Sequence, residues 1–363
     1  MDSKWIKRGL LFAGIFILII FLFSLNLPEI IAAFQQIPLA KLLLMLLLAL
    51  AILIFNLLLK AYRWKWLVYT IAGEKISLSF GLASLLAGIA ASSFIPGRME
   101  VAKPLLLKTE YQIPLAKSLS ALVVERFLDL LTLLLIPALA LLFSPPPQNL
   151  ASWQLPSLIF FLLLLATLTI LYPRFFLLPL EKIITLIPLP LALKEKILSF
   201  LNQIILSFGI FKSHRQVISL GGISLLANSL EILRFYTLLH LLGLNTAFAV
   251  TAFIFTSSLV MGVLSAIPGG LGITEISAAT LFRYADPASS EAISKSAILI
   301  DRIISYYLLI AVGALLLIFQ KKFLTAVKTP KTPLNHNSFK SENTENSHEK
   351  DEKAKTIYNR PLL

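Results

Sequence analysis

Residues 39–59 read "LAKLLLMLLLALAILIFNLLL", an almost unbroken apolar run carrying a single charge, Lys41. At the helical rise such a run is about 30 Å long, the thickness of a bilayer's hydrocarbon core. Comparable runs fall at about residues 9–27, 76–95, 119–143, 156–172, 216–242, 246–267 and 293–319, which makes eight apolar segments. They are rich in Leu, Ile, Phe and Ala without alternation, so they read as helices and not as barrel strands. With 57% hydrophobic and only 14% charged residues, the chain lies outside the range of soluble domains. The fold class expected is an all-α polytopic membrane protein.

Composition removes several chemistries. There is no cysteine, which excludes disulfides, thiolate metal sites and a cysteine nucleophile. The four histidines, His214, His240, His336 and His348, form no cluster with ligand spacing, so no metal and no other cofactor is expected. The net charge of +13 does not point to nucleic acid, because most basic residues flank apolar runs, as membrane orientation requires. Lys4, Lys7 and Arg8 precede the first run, but it is too long for a signal peptide's apolar core and "FSLNLPEI" offers no cleavage site. It reads as the first span. From about Lys328 the sequence turns polar, so 1–327 is expected to be the membrane domain and 328–363 a disordered cytoplasmic tail.

The basic residues also constrain topology. Eight simple crossings would put Arg98, Lys103, Lys108 and Lys117, and later Arg174, Lys182, Lys194, Lys196, Lys212 and Arg215, on the outer side. The uncharged "SPPPQNLASWQ" would lie inside, against the positive-inside rule. The conflict disappears if 76–95 dips into the membrane, breaks at Pro96-Gly97 and returns to its own side. The run 246–267 would do the same from the opposite side, breaking at Pro268-Gly269-Gly270. The expected architecture is then about six spanning helices plus two re-entrant helical hairpins, with both termini cytoplasmic. Between 173 and 215 a mixed stretch with apolar residues at helical spacing reads as an interfacial helix.

This topology makes the two halves, about 1–150 and 151–327, upside-down copies of one another. The sequence echoes it: "SSFIPGRMEV" precedes "VVERFLDLL" much as "LSAIPGGLGITE" precedes "LIDRIISYY". Asn56, Lys60 and Arg63 have a looser echo in Asn228, Glu231 and Arg234. An inverted repeat with broken helices at its interface is a recurrent transporter plan.

The ordered set "PGR" with Glu100, "ER" with Asp129, "PGGLG" with Glu275, and "DR" at 301–302 resembles the lysylphosphatidylglycerol synthase transmembrane-region (flippase-like) family, over roughly residues 5–322. The resemblance implies a membrane module that moves phospholipid between leaflets or handles polyprenyl-linked glycolipids. It does not carry over the aminoacyl-transfer activity, which resides in a separate soluble domain that this chain has no room for. The family pattern Pro-Gly-Arg-x-Gly-Glu is altered here, since Glu100 follows Met99 directly. This shifts weight from Glu100 to Arg98.

The charges within the apolar runs are the candidate substrate-binding residues: Arg98, Glu100, Glu125, Arg126, Asp129, Glu275, Asp301 and Arg302, together with Gly269 and Gly270. A helix starting after Pro96-Gly97 would present unpaired N–H groups, and Arg98 adds a guanidinium suited to phosphate. Glu125 and Asp129 share a face, and Arg126 is spaced to pair with Asp129. A charge facing lipid costs about 2.5–3.5 kcal/mol, so these residues must face protein or a wet hollow. An internal ion pair locking the span to the hairpin explains them equally well. Gly269 and Gly270 allow close backbone approach, for a ligand or for packing alone. Glu231 and Arg234 read as an internal structural pair, and Arg63, Trp64, Lys65 and Trp66 as an interfacial anchor.

The expected function is a lipid transporter or flippase of the cell membrane, with membrane lipids bearing anionic or polyprenyl-phosphate headgroups as partners. It is not expected to be an enzyme. Two alternatives stay open: an intramembrane lipid-modifying transferase using the carboxylates, and a secondary transporter for a small anion.

Overall fold

The computed structural model describes residues 3–35, 37–93, 100–143, 184, 190–287 and 290–318. Arg98, the apolar segment 156–172, the loop "SPPPQNLASWQ" and the tail from Lys328 lie outside the described residues. Among the described residues every regular element is helical and there is no strand. In chain order the helices are α1 (Ser3–Phe23), α2 (Leu27–Gln35), α3 (Leu39–Ala72), α4 (Leu78–Ser92), α5 (Ala102–Tyr111) and α6 (Leu115–Phe143). Then follow α7 (Leu191–Ser207), α8 (His214–Leu241), α9 (Phe248–Leu264), α10 (Ile273–Ala285), α11 (Glu291–Arg302) and α12 (Leu308–Ile318).

Among the described residues, three stretches are long and apolar enough to cross a membrane: α3 with 34 residues, α8 with 28, and the continuous helical run Glu291–Ile318 with 28. The last contains one wide π-helical turn, Ile303–Tyr307, that joins α11 to α12. Helix α6 has 29 residues and carries Pro137, whose missing N–H leaves the Leu133 carbonyl without its helical donor. Helices α4 and α9, with 15 and 17 residues, reach only about 22 and 26 Å. Each packs against the short helix that follows it in the chain, α4 on α5 and α9 on α10; Pro96 and Gly97 lie outside the described residues, and Pro268–Gly270 form a short 3-10 turn.

Ser77 caps α4 by accepting from the Phe80 amide at 3.1 Å, and Ser290 caps α11 by accepting from Ile293 at 3.3 Å. Helices α3 and α8 form the central pair. The buried stripe of α3 runs Met45, Ala49, Leu53, Asn56, Arg63 and Leu67, apolar at both ends and polar in the middle. Its opposite face carries exposed Leu43, Leu44, Leu47, Ile54 and Phe55. A soluble protein does not tolerate apolar surface on that scale, whereas lipid tails solvate it.

The apolar core joins α3 (Met45, Ala49, Leu53), α8 (Ile232, Phe235, Leu238, Leu239), α9 (Ala252–Phe255), α10 (Ala278, Phe282) and α11 (Ala297, Ile298). The mixed stretch expected at the interface contains α7, whose Leu201 and Ile204 bury against Val124 and Leu128 of α6 while Leu191 and Leu193 stay exposed. Helix α3 also runs to Ala72, more than three turns past the end of its apolar run. That extension corrects the reading of residues 63–66 as an anchor after the span. Arg63 and Trp64 are fully buried, because helix α3 carries them into the protein.

Candidate functional site: a buried chain of ion pairs

The middle of α3 holds three polar residues on one face: Asn56, Lys60 and Arg63. Arg63 reaches α6, with Nη1 2.6 Å from Asp129 Oδ1 and Nη2 3.1 Å from Glu125 Oε1. It also donates to the Ser224 hydroxyl of α8 at 2.8 Å. Glu125 is paired a second time, its Oε2 lying 2.6 Å from Lys103 Nζ of α5. Lys103 is wholly buried, stacks over the Trp64 ring at 4.4 Å, and lies 3.1 Å from Glu100. Arg126 closes the set with contacts of 2.8 Å to Glu100 and 3.3 Å to Asp129. Three cations thus face three carboxylates. Burial demands this balance, since an unpaired charge taken out of water costs several kcal/mol, on the order of the whole stability of a domain.

The second set is built by the same pairing rule. Arg234 of α8 holds Asp301 in a forked contact, Nε to Oδ1 at 2.8 Å and Nη2 to Oδ2 at 3.3 Å. Arg302 donates to Glu275 Oε1 at 2.6 Å, and the Tyr307 hydroxyl reaches the same oxygen at 3.2 Å. The arginine of the central helix therefore takes the acid of the Glu-Arg or Asp-Arg motif: Arg63 takes Glu125, and Arg234 takes Asp301. The arginine of the motif takes the acid beyond the Pro-Gly break: Arg126 takes Glu100, and Arg302 takes Glu275.

Three contacts link the sets. Lys60 and Glu231 form a part-buried ion pair of 2.5 Å between α3 and α8. Asn56 donates to the Ala227 carbonyl on the same seam, and Asn228 donates to Thr132 of α6 at 2.6 Å. Between the end of α4 and Gly269, the π-turn places Tyr306 with its ring 4.4 Å from the Arg302 guanidinium and its hydroxyl donating to Ser93 at 3.3 Å. Ser93 immediately follows α4, and the same hydroxyl presses on Gly269. Gly269 has φ +65° and Gly270 φ +63°, and a Cβ on Gly269 would collide with Tyr306. That glycine is required both by its backbone conformation and by the ring above it.

Most of the residues singled out from sequence meet here. Glu100, Glu125, Arg126 and Asp129 form one cluster; Glu275, Asp301 and Arg302 line the other, with Gly269 under Tyr306. The Arg126–Asp129 pair forms as its spacing predicts. The expected Glu231–Arg234 pair does not form, because each turns to a neighbouring helix: Glu231 to Lys60 and Arg234 to Asp301. Lys60, Lys103, Arg63 and Tyr307 belong to the network but were not expected in it. For Arg63 a signal was present in the spacing of Asn56, Lys60 and Arg63 on one helix face; for Lys103 and Tyr307 none was.

The clusters are not fully saturated. Among the described residues, Arg63 Nε, Trp64 Nε1 and Arg126 Nε are buried without hydrogen-bond partners, as are Glu100 Oε2, which keeps its ion pairs, Glu275 Oε2 and Arg302 Nη2. The first cluster thus has three spare donors and one spare acceptor, while the second has one of each. Arg126 is the most open cation of the two clusters, its side chain 41% exposed where those of Lys103 and Arg63 are at most 1%.

The sequence model for the lysylphosphatidylglycerol synthase TM region matches residues 9–313. The chain belongs to that family. The matched range holds both Pro-Gly breaks and every ion pair described above, and it agrees with the family that the four ordered motifs resemble. A UPF0104 membrane protein of Methanothermobacter thermautotrophicus is 38% identical over 111 residues, which cover 30% of this chain and 32% of that protein. A UPF0104 membrane protein of Pyrococcus horikoshii is 27% identical over 135 residues, 37% of this chain and 40% of that protein. The chain therefore aligns with about a third of the first relative's length and two-fifths of the second's. Family membership and the apolar exteriors of its helices make it a membrane protein with a lipid-related family background.

The Lys60–Glu231 link can be tested directly. Lys60→Glu is expected to lower the unfolding midpoint in detergent, and Lys60→Glu combined with Glu231→Lys to recover part of the loss. A double-mutant cycle should return a coupling of about 0.5–3 kcal/mol. Additive losses would mean that the pair contributes nothing.

Proposed function

We propose that this family member is a cell-membrane lipid transporter that moves a phosphate-bearing lipid between leaflets. The observation that carries the reading is the twice-used pairing rule, in which each Pro-Gly break is tied by its acid to an arginine of the next long helix. In the reading, α4–α5 and α9–α10 are re-entrant hairpins entering from opposite sides. The arms α4 and α9 are too short to cross a core of about 30 Å comfortably, and each packs on its returning helix. The halves then form an inverted repeat of about six spans, with both termini cytoplasmic. Tyr306, touching Ser93 and Gly269 together, is where the two breaks would share one chamber.

The charge balance suits passage better than tight binding. An empty chamber of paired ions is neutral and stable in a low-dielectric surrounding. An entering phosphate can take Arg126 from Asp129 and Glu100, and is released when the carboxylates reclaim it. The three spare donors of the first cluster outnumber its one spare acceptor and favour phosphate, and the donor–acceptor pair at Arg302 and Glu275 suits a headgroup bearing hydroxyl or amine groups as well. The carboxylates are occupied as ion-pair partners, so the reading assigns them no catalytic step.

The test is transbilayer movement of a fluorescent phosphatidylglycerol in vesicles containing the full chain. Arg126→Ala and Arg302→Ala are each expected to slow it by about tenfold, equivalent to losing about 1.4 kcal/mol of headgroup interaction. Ordinary rates in both variants would reject the site. Turnover of a labelled polyprenyl-phosphate sugar donor by the purified protein would favour a transferase instead.

A further inference from the structure

An apolar crevice of about 380 Å3 opens between α6, α8 and α9, lined by Ile136, Leu139, Ala140, Leu225, Ser229, Phe248 and Ala249. Leu139 at its rim is exposed, so the crevice communicates with the lipid side of the molecule. We propose that it holds a hydrocarbon chain of the same lipid whose phosphate meets Arg126. The inference rests on the transporter reading and adds to it where the chain sits.

The placement along α6 is the main argument. Asp129, Thr132, Ile136 and Ala140 stand at i, i+3, i+7 and i+11, one stripe of one helix face. Asp129 and Thr132 belong to the polar cluster, while Ile136 and Ala140 line the crevice. Helix α8 repeats the arrangement: Ser224 and Asn228 touch the cluster, and their neighbours Leu225 and Ser229 line the crevice. The two helices that carry the charges therefore also carry the apolar wall.

From Arg126 to Ile136 is ten residues, about 15 Å along the helix. That is the layout of an amphiphile, charged at one end and hydrocarbon a short distance away. A soluble anion needs the charges and has no use for the crevice. Among the described lining residues, Ser229 alone has a polar side chain. Hydrocarbon in such a crevice gains close contact with fixed side chains, which fluid lipid tails provide less well.

The experiment uses the full chain in phosphatidylcholine vesicles with a phosphatidylglycerol bearing a photoactivatable diazirine at mid-chain. After irradiation, labels are expected to concentrate on 136–140 and 248–249. Ala140→Phe and Ser229→Leu, which fill the crevice from two different helices, are each expected to lower that label by about fivefold, corresponding to about 1 kcal/mol of lost occupancy. Labels spread evenly over the crevice and the outward face of α3, unchanged by both variants, would overturn the proposal. A label undiminished in Arg126→Ala would also overturn it, because the chain in the crevice would then not belong to the lipid held at Arg126. Transport by Arg126→Ala in the same vesicles reads the function separately: slowed transport with even labelling rejects the crevice alone.

Discussion

Replacing Arg234 with methionine is expected to destabilise the protein by about 3–5 kcal/mol, because Asp301 is then left as a buried carboxylate without its forked partner. Asp301 and Arg234 are both buried, and among the described residues the other donor to Asp301 is the Ser305 hydroxyl at 3.4 Å. A hydroxyl at that distance replaces little of a guanidinium. The double variant Arg234→Met with Asp301→Leu is expected to recover most of the loss, since two apolar side chains of similar volume remove the buried charge altogether. Unfolding midpoints in detergent would show it. A single variant as stable as the parent, or a double variant no better than the single, would mean that the pair is not the dry contact described. Transport by a stable double variant separates scaffold from site: if lipid still moves, Arg234 and Asp301 hold helices together and do not touch the headgroup.

Gly313→Ala is expected to cost about 1–3 kcal/mol, although it places a better helix former inside a helix. Gly313 on α12 lies against the backbone carbonyl of Leu86 on α4, and an added Cβ would collide with that oxygen and lie 2.9 Å from the Ala90 Cβ. A backbone carbonyl cannot rotate away as a side-chain end can. The two helices would have to separate, and α4, buried on most of its length, would lose packing on α3 and α5 as well. Gly221→Ala on α8 is the matched control, because nothing lies within 4 Å of its Cβ position. There the change is expected to be neutral or to stabilise by up to about 1 kcal/mol. Equal effects at 313 and 221 would show that close approach of α4 and α12 is not a determinant of stability.

Hydropathy and punctuation made much of the fold legible. Runs such as 39–59 can only be helices in lipid, and Pro268-Gly269-Gly270 marks where the backbone breaks between α9 and α10. The Arg126–Asp129 pair was readable because helical spacing alone puts the two residues on one face. Neither Glu231 nor Arg63 was readable in the same way. Spacing put Glu231 beside Arg234, but a carboxylate with a cation on its own helix can still prefer one on the next. Its partner Lys60 is 171 residues away in the chain. Arg63 sat past the apolar run, where a basic residue normally marks the membrane surface, and only the continuation of α3 to Ala72 brings it inside.

The sequence by itself determined that the chain is helical, lives in lipid, breaks at Pro268-Gly269-Gly270 and carries charges that cannot face hydrocarbon. Which charge meets which was decided only by the packing of helices. In a soluble protein an apolar stripe announces the buried face, but here nearly every face is apolar, so rotation about each helix axis leaves hydropathy unchanged. Close backbone contacts such as Gly313 on Leu86, and the mutual demand of buried ions for partners, settle that rotation.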